Sequence, residues 1–365
     1  MTIRPQRGLE KIQPYVPGKP IREVEREYGL HDVVKLASNE NPFGVSPKAL
    51  TAMRDALADA YLYPDGASYD LRSALAKHFG FALEQVAVGN GADDVILHAS
   101  MAYLDEGDEV ITSRSSFPIY DIYAHAMRAT LIKVPLGPGH RIDLDGMARG
   151  VTAKTKILFV CNPNNPTGTM STKGELDRFL AAVPDRVLVI LDEAYAEMAD
   201  SDEFPDGLAY VREGRENVLV LRTFSKVYGL AGVRIGYAFG HAKTIAPMFK
   251  VKPAFTVNVL AQAAGIAALE DDEFVRFTVN ENRKGRLFLS AAFERLGLEH
   301  AESHTNFILV RIGPNAVDVQ RQLLRRGIIV RPCGAYDLPD FLRISIGTAK
   351  QNERLVATLT ELVGA

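Results

Sequence analysis

Two kinds of segment alternate along the first two thirds of the chain. Short, continuous apolar runs begin near residues 86, 108, 130, 155, 186 and 217. Between them lie segments whose apolar residues recur three and four positions apart, as at 47–60, 68–80, 118–128 and 171–182. Continuous apolar runs are typical of strands buried on both faces, and intervening helices favour parallel pairing. The pattern predicts an α/β fold with a mostly parallel sheet flanked by helices.

The chain of 365 residues is long for a single core, so two lobes are expected. Four prolines interrupt the start, and residues 1–37 are interpreted as an N-terminal arm with one short helix near 20–29. Residues 38–270 form the predicted large domain, which ends in a helix near 256–270. Residues 271–365 form a smaller α/β domain, with strands predicted at 306–312 and 341–347 and helices at 275–296, 315–326 and 350–363.

Composition excludes several classes of partner. The net charge of −3 disfavours nucleic acids and anionic membranes, which need a basic face. The polar, proline-rich start has no apolar core of a signal peptide, and no apolar run is long enough to span a bilayer. Two cysteines, Cys161 and Cys333, provide neither a disulfide framework nor metal-ligand spacing. We therefore expect a cytoplasmic protein without a metal.

Polar residues follow the predicted strands. Ligands of open parallel sheets bind at the carboxyl ends of the strands. The polar or small residues at these ends are Gly91, Asn165, Asp192, Tyr195, Ser225 and Lys226, and the stretch 220–237 adds Thr223 and Arg234. The sequence therefore predicts a ligand site at this edge.

Each of these residues alone has an ordinary structural explanation. Asp192 could cap a helix or form a structural ion pair. Lys226 could be a surface lysine, and Asn165 could be a turn residue. The segment "GNGADD" at 89–94 lacks the third glycine of a dinucleotide fingerprint. It is better explained as a helix N-terminus whose free N–H groups, at Gly91, Ala92 and Asp93, face an anion.

Taken together, the residues predict a site for pyridoxal 5′-phosphate. Lys226 supplies an amine for the cofactor aldehyde, and a lysine in a partly desolvated cleft has a lowered pKa. Asp192 keeps the ring nitrogen protonated, so that the ring can accept electrons. Neutral donors bind the ring hydroxyl, and the helix end, Ser225 and Arg234 neutralise the phosphate.

Eight segments carry a family resemblance. In chain order they are "PYVPGKPI", "KLASNENPFG", "YPDG", "NPNNPTG", "LDEAY", "RTFSKVYGLAGVRIGY", "GIIVRPCGAY" and "LRISIGT". Over nearly its whole length the chain resembles the fold-type I aminotransferases, and within them the histidinol-phosphate aminotransferases. "SNENPFG" with "YPDG" is the more specific part of this resemblance.

The resemblance implies a role for each matching residue. Lys226 binds the cofactor and moves a proton, Asp192 pairs with the ring nitrogen, and Asn165 and Tyr195 bind the ring hydroxyl. Phe117 stacks on the ring. The phosphate ligands are Ala92, Asp93, Ser225 and Arg234, with Thr223 as a helper and Tyr63 reaching across from the second subunit of a homodimer.

The resemblance also implies the substrates. The reaction is transamination of L-histidinol phosphate with 2-oxoglutarate, which gives imidazole acetol phosphate and glutamate in histidine biosynthesis. Arg343 binds the α-carboxylate of glutamate and shares the phosphate of histidinol phosphate with Arg331; arginine is suited to bidentate pairing. Tyr15 and Asn39 match substrate-contacting positions. Alternatives remain for two of these: a surface ion pair for Arg331 and packing of the arm for Tyr15.

One departure and three alternative functions accompany the resemblance. Ser115 and Ser116 stand where the family commonly has a proline before the stacking aromatic. The same scaffold serves aminotransferases of phenylalanine and tyrosine, and it also serves a decarboxylase of threonine phosphate. A regulator with a degenerate aminotransferase domain would need an added DNA-binding segment, for which the arm is too short, and would be expected to lack Lys226.

Overall fold

The computed structural model describes residues 3–14 and 16–363, which form two sheets covered by helices. The strands are β1 (Val34–Leu36), β2 (Val86–Gly89), β3 (Glu109–Ser113), β4 (Thr130–Val134), β5 (Thr155–Cys161), β6 (Leu188–Asp192), β7 (Val218–Thr223), β8 (Gly236–Gly240), β9 (Phe307–Arg311), β10 (Ile328–Pro332) and β11 (Phe341–Ser345). The α-helices are α1 (Ile21–Tyr28), α2 (Pro47–Ala56), α3 (Tyr69–Phe79), α4 (Ala92–Tyr103), α5 (Ile119–Ala126), α6 (Leu144–Arg149), α7 (Lys173–Ala182), α8 (Gly207–Arg212), α9 (Ala242–Ile245), α10 (Met248–Val251), α11 (Val259–Ala268), α12 (Asp272–Arg295), α13 (Ala316–Arg325) and α14 (Ala349–Val363).

The larger sheet has the strand order β2-β8-β7-β6-β5-β3-β4. From β7 to β4 neighbouring strands run parallel, whereas β8 is antiparallel to both β7 and β2. Alternate residues of one strand enter different cores: Val189 and Leu191 pack on one face of the sheet, and Leu188 and Ile190 on the other. Because both faces are covered, these strands are apolar throughout, which is the pattern seen in the sequence.

The smaller sheet has the order β1-β10-β11-β9 and packs against α12, α13 and α14. Strands β9, β10 and β11 are antiparallel neighbours, whereas β1 joins β10 in parallel. The pairing places Arg331 of β10 directly opposite Arg343 of β11. Side chains of directly opposite residues project from the same face of a sheet, so two arginines lie side by side here.

The α/β fold expected from the sequence is confirmed, but three strands escaped prediction. β8 is rich in glycine, which weakens any strand pattern. β10 ends in a proline, and β1 has three residues inside a segment that was interpreted as arm and loop. Each of these strands is defined by a partner distant in sequence, which local periodicity cannot reveal.

The N-terminal segment packs on the C-terminal lobe. Val24 of α1 and Ala37 share a small core with Leu324 and Ile329, and β1 completes the smaller sheet. The domain boundaries at 37 and 270 stay predictions, but residues 21–36 associate with the lobe formed by the end of the chain. Within the described residues, no helix combines the length and the apolar character needed to cross a membrane.

Candidate active site

A cavity of about 260 Å³ opens at the carboxyl ends of the parallel strands, beside the first turn of α4. Residues from both sheets line it. Most of the predicted site residues are in this lining: Asn39, Ala92, Asp93, Phe117, Asn165, Asp192, Tyr195, Thr223, Ser225, Lys226, Arg234 and Arg343. The fold thus brings together residues as far apart in the chain as Asn39 and Arg343.

Lys226 follows the end of β7, and its amine faces the cavity. Within the described residues its Nζ forms no hydrogen bond or ion pair, and it lies 5.5 Å from the centre of the Tyr195 ring. Burial, together with the positive charge of Arg343, lowers the pKa of Lys226 to about 8, although Asp93 acts in the opposite direction. In mildly alkaline solution a large fraction of the molecules therefore carry Lys226 as the neutral, nucleophilic amine.

Asp192 is the last residue of β6 and is 3% exposed. One carboxylate oxygen accepts a hydrogen bond from the Tyr120 hydroxyl at 2.6 Å, and the other accepts one from the Ala194 N–H at 3.1 Å. Burial raises the pKa of Asp192 to about 6, and these donors oppose the rise. No lysine or arginine of the described residues forms an ion pair with it. A buried carboxylate in this state suits a cationic ligand group.

Asn165 and Tyr195 line the cavity, and each has a side-chain hydrogen-bond donor that no described residue accepts. The Asn165 side-chain oxygen accepts from Arg343, which leaves the amide NH₂ to donate. The Tyr195 hydroxyl accepts from Asn39 Nδ2 at 3.0 Å, which leaves its own proton to donate. Both residues are buried, so their remaining donors need a partner, such as a ligand oxygen.

Asn39 is held in a left-handed conformation with φ of 56°. Its backbone N–H donates to Ser345 Oγ at 2.9 Å, and the Ser345 hydroxyl donates to Asn39 Oδ1 at 2.9 Å. Asn306 donates to its carbonyl oxygen at 3.0 Å. The smaller sheet therefore orients Asn39, and Asn39 orients Tyr195.

The first turn of α4 forms an anion cradle with Arg234. Gly91 precedes this turn with φ of 90° and provides no side-chain cap, so the first N–H groups of the helix stay available. A Cβ on Gly91 would lie 2.3 Å from Arg234 Nη2. Only glycine lets the guanidinium come this close to the helix end. Arg234 itself has φ of 64° and lies 3.8 Å from the Asp93 carboxylate.

Two hydroxyl residues complete this end of the cavity. Thr223 Oγ1 accepts from the Ser225 N–H at 3.1 Å and donates to the Ile235 carbonyl. The Thr223 hydroxyl is thus engaged in supporting the turn. The Ser225 hydroxyl has no hydrogen-bond partner among the described residues, which leaves it for an anion beside Arg234.

Among the described residues, three predicted ones are not in the lining: Gly91, which directly precedes Ala92 of the lining, Tyr63 and Arg331. Tyr15 lies outside the described residues. Tyr63 is 82% exposed and stacks on Phe255 at 4.6 Å, so its predicted role across a subunit interface stays a prediction. Arg331 lies beside the cavity: it is 7% exposed, donates to the Val16 carbonyl at 2.6 Å and faces the Tyr336 ring. This burial argues against the alternative of a surface ion pair.

Sequence reasoning missed Tyr120 and Ser345. Neither lines the cavity, but each hydrogen-bonds a residue that does, namely Asp192 and Asn39. Phe117 lines the cavity and meets the Tyr120 ring edge-on at 5.7 Å. The three-residue spacing from Phe117 to Tyr120 at the start of a helix was the available signal, since it places both side chains on one side.

Comparisons with known proteins agree with this geometry, which is that of a class I and II aminotransferase. The family model "Aminotransferase class I and II" matches residues 31–359. The chain is 46% identical to histidinol-phosphate aminotransferase of Moorella thermoacetica, over 98% of this chain and 92% of that protein. It is 46% identical to histidinol-phosphate aminotransferase of Akkermansia muciniphila, over 98% of each.

A solved structure is similar over the whole chain. It is histidinol-phosphate aminotransferase from Sinorhizobium meliloti in complex with pyridoxal-5′-phosphate, with a TM-score of 0.91 and 30% identity, covering 100% of this chain and 98% of that one. The chain therefore belongs to the class I and II aminotransferases and, within them, to the histidinol-phosphate aminotransferase family.

The lowered pKa of Lys226 predicts an unusual labelling profile. Treatment with a small acylating reagent over a pH series should modify Lys226 with a midpoint near its pKa of about 8, because only the neutral amine reacts. Exposed Lys173, whose pKa is raised by its hydrogen bond to Asp177, should reach its midpoint at higher pH. Mass spectrometry of the peptides gives both profiles from one sample. Superimposable profiles would contradict the desolvated site.

Proposed function

We propose that this protein binds pyridoxal 5′-phosphate and transfers the amino group of L-histidinol phosphate to 2-oxoglutarate, giving imidazole acetol phosphate and glutamate. The observation that carries the proposal is that a desolvated lysine amine, a buried carboxylate and a buried arginine, Lys226, Asp192 and Arg343, line one cavity. The names of the relatives support the substrate. The reaction belongs to histidine biosynthesis, and the two free, buried cysteines suit a reducing cytoplasm.

The residues present fit the cofactor group by group. Asp192 is a buried carboxylate without an ion pair among the described residues, and a protonated ring nitrogen supplies the missing cation. Asn165 and Tyr195 have donors left for the ring hydroxyl. The first turn of α4, Ser225 and Arg234 would receive the phosphate, and Phe117, which also lines the cavity, would stack on the ring. When bound, the cofactor supplies an electron sink for charge that develops on the substrate carbon.

Lys226 moves the proton. With the cofactor bound, the Lys226 amine, whose lowered pKa keeps a neutral fraction, would remove the proton from the substrate carbon. The protonated Lys226 amine would then hold that proton and return it to complete the transfer. Asp192 would hold the ring nitrogen in its protonated form, and the hydrogen bonds of Tyr120 and Ala194 keep the carboxylate in place.

Arg331 and Arg343 bind the anionic end of the substrates. They are cross-strand partners on β10 and β11, and both are buried. Two buried like charges side by side repel each other, so an anion between them is stabilising. Arg343 also donates to Asn165, the residue proposed to bind the ring hydroxyl, which supports a position for Arg343 beside the cofactor. We infer that Arg343 serves the glutamate carboxylate, and that both arginines serve the phosphate of histidinol phosphate.

Single turnovers test this function against its rivals. Cofactor-loaded protein is mixed, without any oxo acid, with L-histidinol phosphate, L-phenylalanine or O-phospho-L-threonine, and the visible absorbance of the lysine-bound cofactor is followed. Fastest conversion to the amine form by histidinol phosphate is expected, because its phosphate matches the paired arginines. Faster conversion by phenylalanine would identify an aromatic aminotransferase. Release of carbon dioxide from phosphothreonine would identify a decarboxylase.

A specificity prediction concerns Arg331. Arg331→Ala should raise the KM for histidinol phosphate by about tenfold or more and the KM for glutamate by less than about threefold, because only the phosphate needs both arginines. Steady-state kinetics of the two half-reactions give these values. Arg311→Ala is the matched control: Arg311 lies on the same sheet, is half-exposed and pairs with Glu299 at 3.3 Å. Equal losses for both substrates would refute a phosphate-specific role.

We propose that the active unit is a homodimer in which Tyr63 completes the site of the other subunit. Large apolar side chains are exposed around Tyr63, namely Leu57, Tyr61, Leu62, Tyr69 and Phe255. A concentration of exposed apolar groups is typical of a protein interface. Tyr63 is not among the residues that line the cavity of its own chain, and the family resemblance assigns it to the phosphate of the neighbouring site.

Mixed dimers test the sharing. Lys226→Ala and Tyr63→Ala each inactivate or weaken one component, but a mixed dimer contains one site with both residues intact. Unfolding and refolding the two variants together should therefore restore activity to about one quarter of the wild-type value, from the statistics of random pairing. Each variant refolded alone is the control. Activity that never exceeds that of the Tyr63→Ala protein would show that Tyr63 does not act across an interface.

A further inference from the structure

Tyr120 lies behind the cavity and contacts two of its lining residues. Its side chain is fully buried in the first turn of α5. The hydroxyl donates to Asp192 at 2.6 Å, and the ring stacks on Phe159 of β5 with centroids 4.5 Å apart and planes inclined by 7°. The edge of the ring meets Phe117 at 5.7 Å. One residue thus touches both the carboxylate and the aromatic ring of the proposed cofactor site.

The hydrogen bond from the Tyr120 hydroxyl to the Asp192 carboxylate is a strong one. A hydroxyl that donates to a buried carboxylate forms a charge-assisted hydrogen bond, and the short distance is typical of one. Parallel stacking on Phe159 leaves the Tyr120 ring little freedom to rotate away. The Ala194 N–H holds the second carboxylate oxygen at 3.1 Å. The plane of the carboxylate is therefore determined by two donors that belong to different segments.

We propose that Tyr120 is a positioning residue: its hydroxyl orients the Asp192 carboxylate towards the ring nitrogen of the cofactor, and its ring supports Phe117. The inference rests on the proposed function, because it assumes that the cavity holds pyridoxal phosphate. Tyr120 does not touch the cofactor itself, since it lies outside the lining of the cavity. Its influence passes through Asp192, the group that neutralises the ring cation.

Removal of the Tyr120 hydroxyl is expected to raise the pKa of Asp192. Without this donor, burial holds a proton on Asp192 more tightly, because the donor lowers its pKa. Less positive charge then remains on the cofactor ring, so the nitrogen that links the cofactor to Lys226 becomes more basic. The other ionisable groups that interact electrostatically with Asp192 are Asp93, Cys161, Tyr195 and Lys226, and they are unchanged by the substitution.

Tyr120→Phe is the first test, because it removes the hydroxyl and keeps the ring. The dissociation constant of pyridoxal phosphate is measured without substrate, and the visible absorbance of the loaded protein is titrated with pH. The variant should bind the cofactor about tenfold more weakly, and its absorbance midpoint should move to higher pH. Tyr103→Phe is the matched control, since the Tyr103 hydroxyl donates to the Thr244 carbonyl at 2.9 Å, away from the cavity.

A double-mutant cycle separates positioning from general packing. In an Asp192→Asn background, Tyr120→Phe should change the dissociation constant by less than about twofold, because the charge that the hydroxyl serves is absent. A merely structural role would weaken binding equally in both backgrounds, and that result would overturn the proposal. The proposal would also be overturned if Tyr120→Phe had the cofactor affinity and the absorbance titration of the wild type.

The remaining outcomes are also decisive. If Tyr120→Phe does not fold but the Tyr120→Phe, Asp192→Asn protein does, the hydroxyl is needed to accommodate the charge of Asp192, as proposed. If neither folds, Tyr120 serves the core alone and the proposal fails. Wild-type protein that does not bind pyridoxal phosphate would remove the proposed function, and this result is distinct from a failure confined to Tyr120.

Discussion

Burial of charge at the carboxyl edge of the larger sheet is the constraint on which the site depends. Asp192, Lys226 and Arg343 are withdrawn from bulk water around one cavity, and each would be more stable in solvent. Burial moves the pKa of Asp192 upward and that of Lys226 downward, so both are shifted towards the neutral form. A ligand with a cationic ring nitrogen and an anionic phosphate relieves both shifts, which explains why Asp192 and Lys226 form no ion pair among the described residues.

Both sheets contribute residues to this site. The larger sheet carries Asp192 and Lys226 at strand ends, where helices on both faces exclude water. The smaller sheet contributes Arg343, which donates to Asn165 and to the Ala37 carbonyl, and Ser345, which orients Asn39. Asn39 in turn binds the Tyr195 hydroxyl. A displacement of one sheet relative to the other would therefore disturb the hydrogen bonds of Asn165 and Tyr195 together.

Neighbouring acidic residues show how the fold assigns different roles to similar side chains. Asp192 faces the cavity. The next residue, Glu193, is buried, forms an ion pair with Arg222 at 2.8 Å and accepts a hydrogen bond from the Gly207 N–H at 3.0 Å. Burial raises the pKa of Glu193 to about 7, and Arg222 opposes the rise. Strand alternation predicts that the two side chains diverge, but it does not tell which of them faces the site. The resemblance of "LDEAY" to its family selected Asp192, and the structure supplies the reason.

The sequence by itself determined the α/β class, the strand ends that carry polar groups, and most of the lining of the cavity, because continuous apolar runs and turn residues are local signals. It did not reveal β1, β8 and β10, whose pairing partners are distant, or the roles of Tyr120 and Ser345, which act through Asp192 and Asn39. The pairing of Arg331 with Arg343 likewise depends on the register of two strands. These features were decided only by the tertiary structure, since hydrogen bonds and burial between remote segments exist only once the chain has folded.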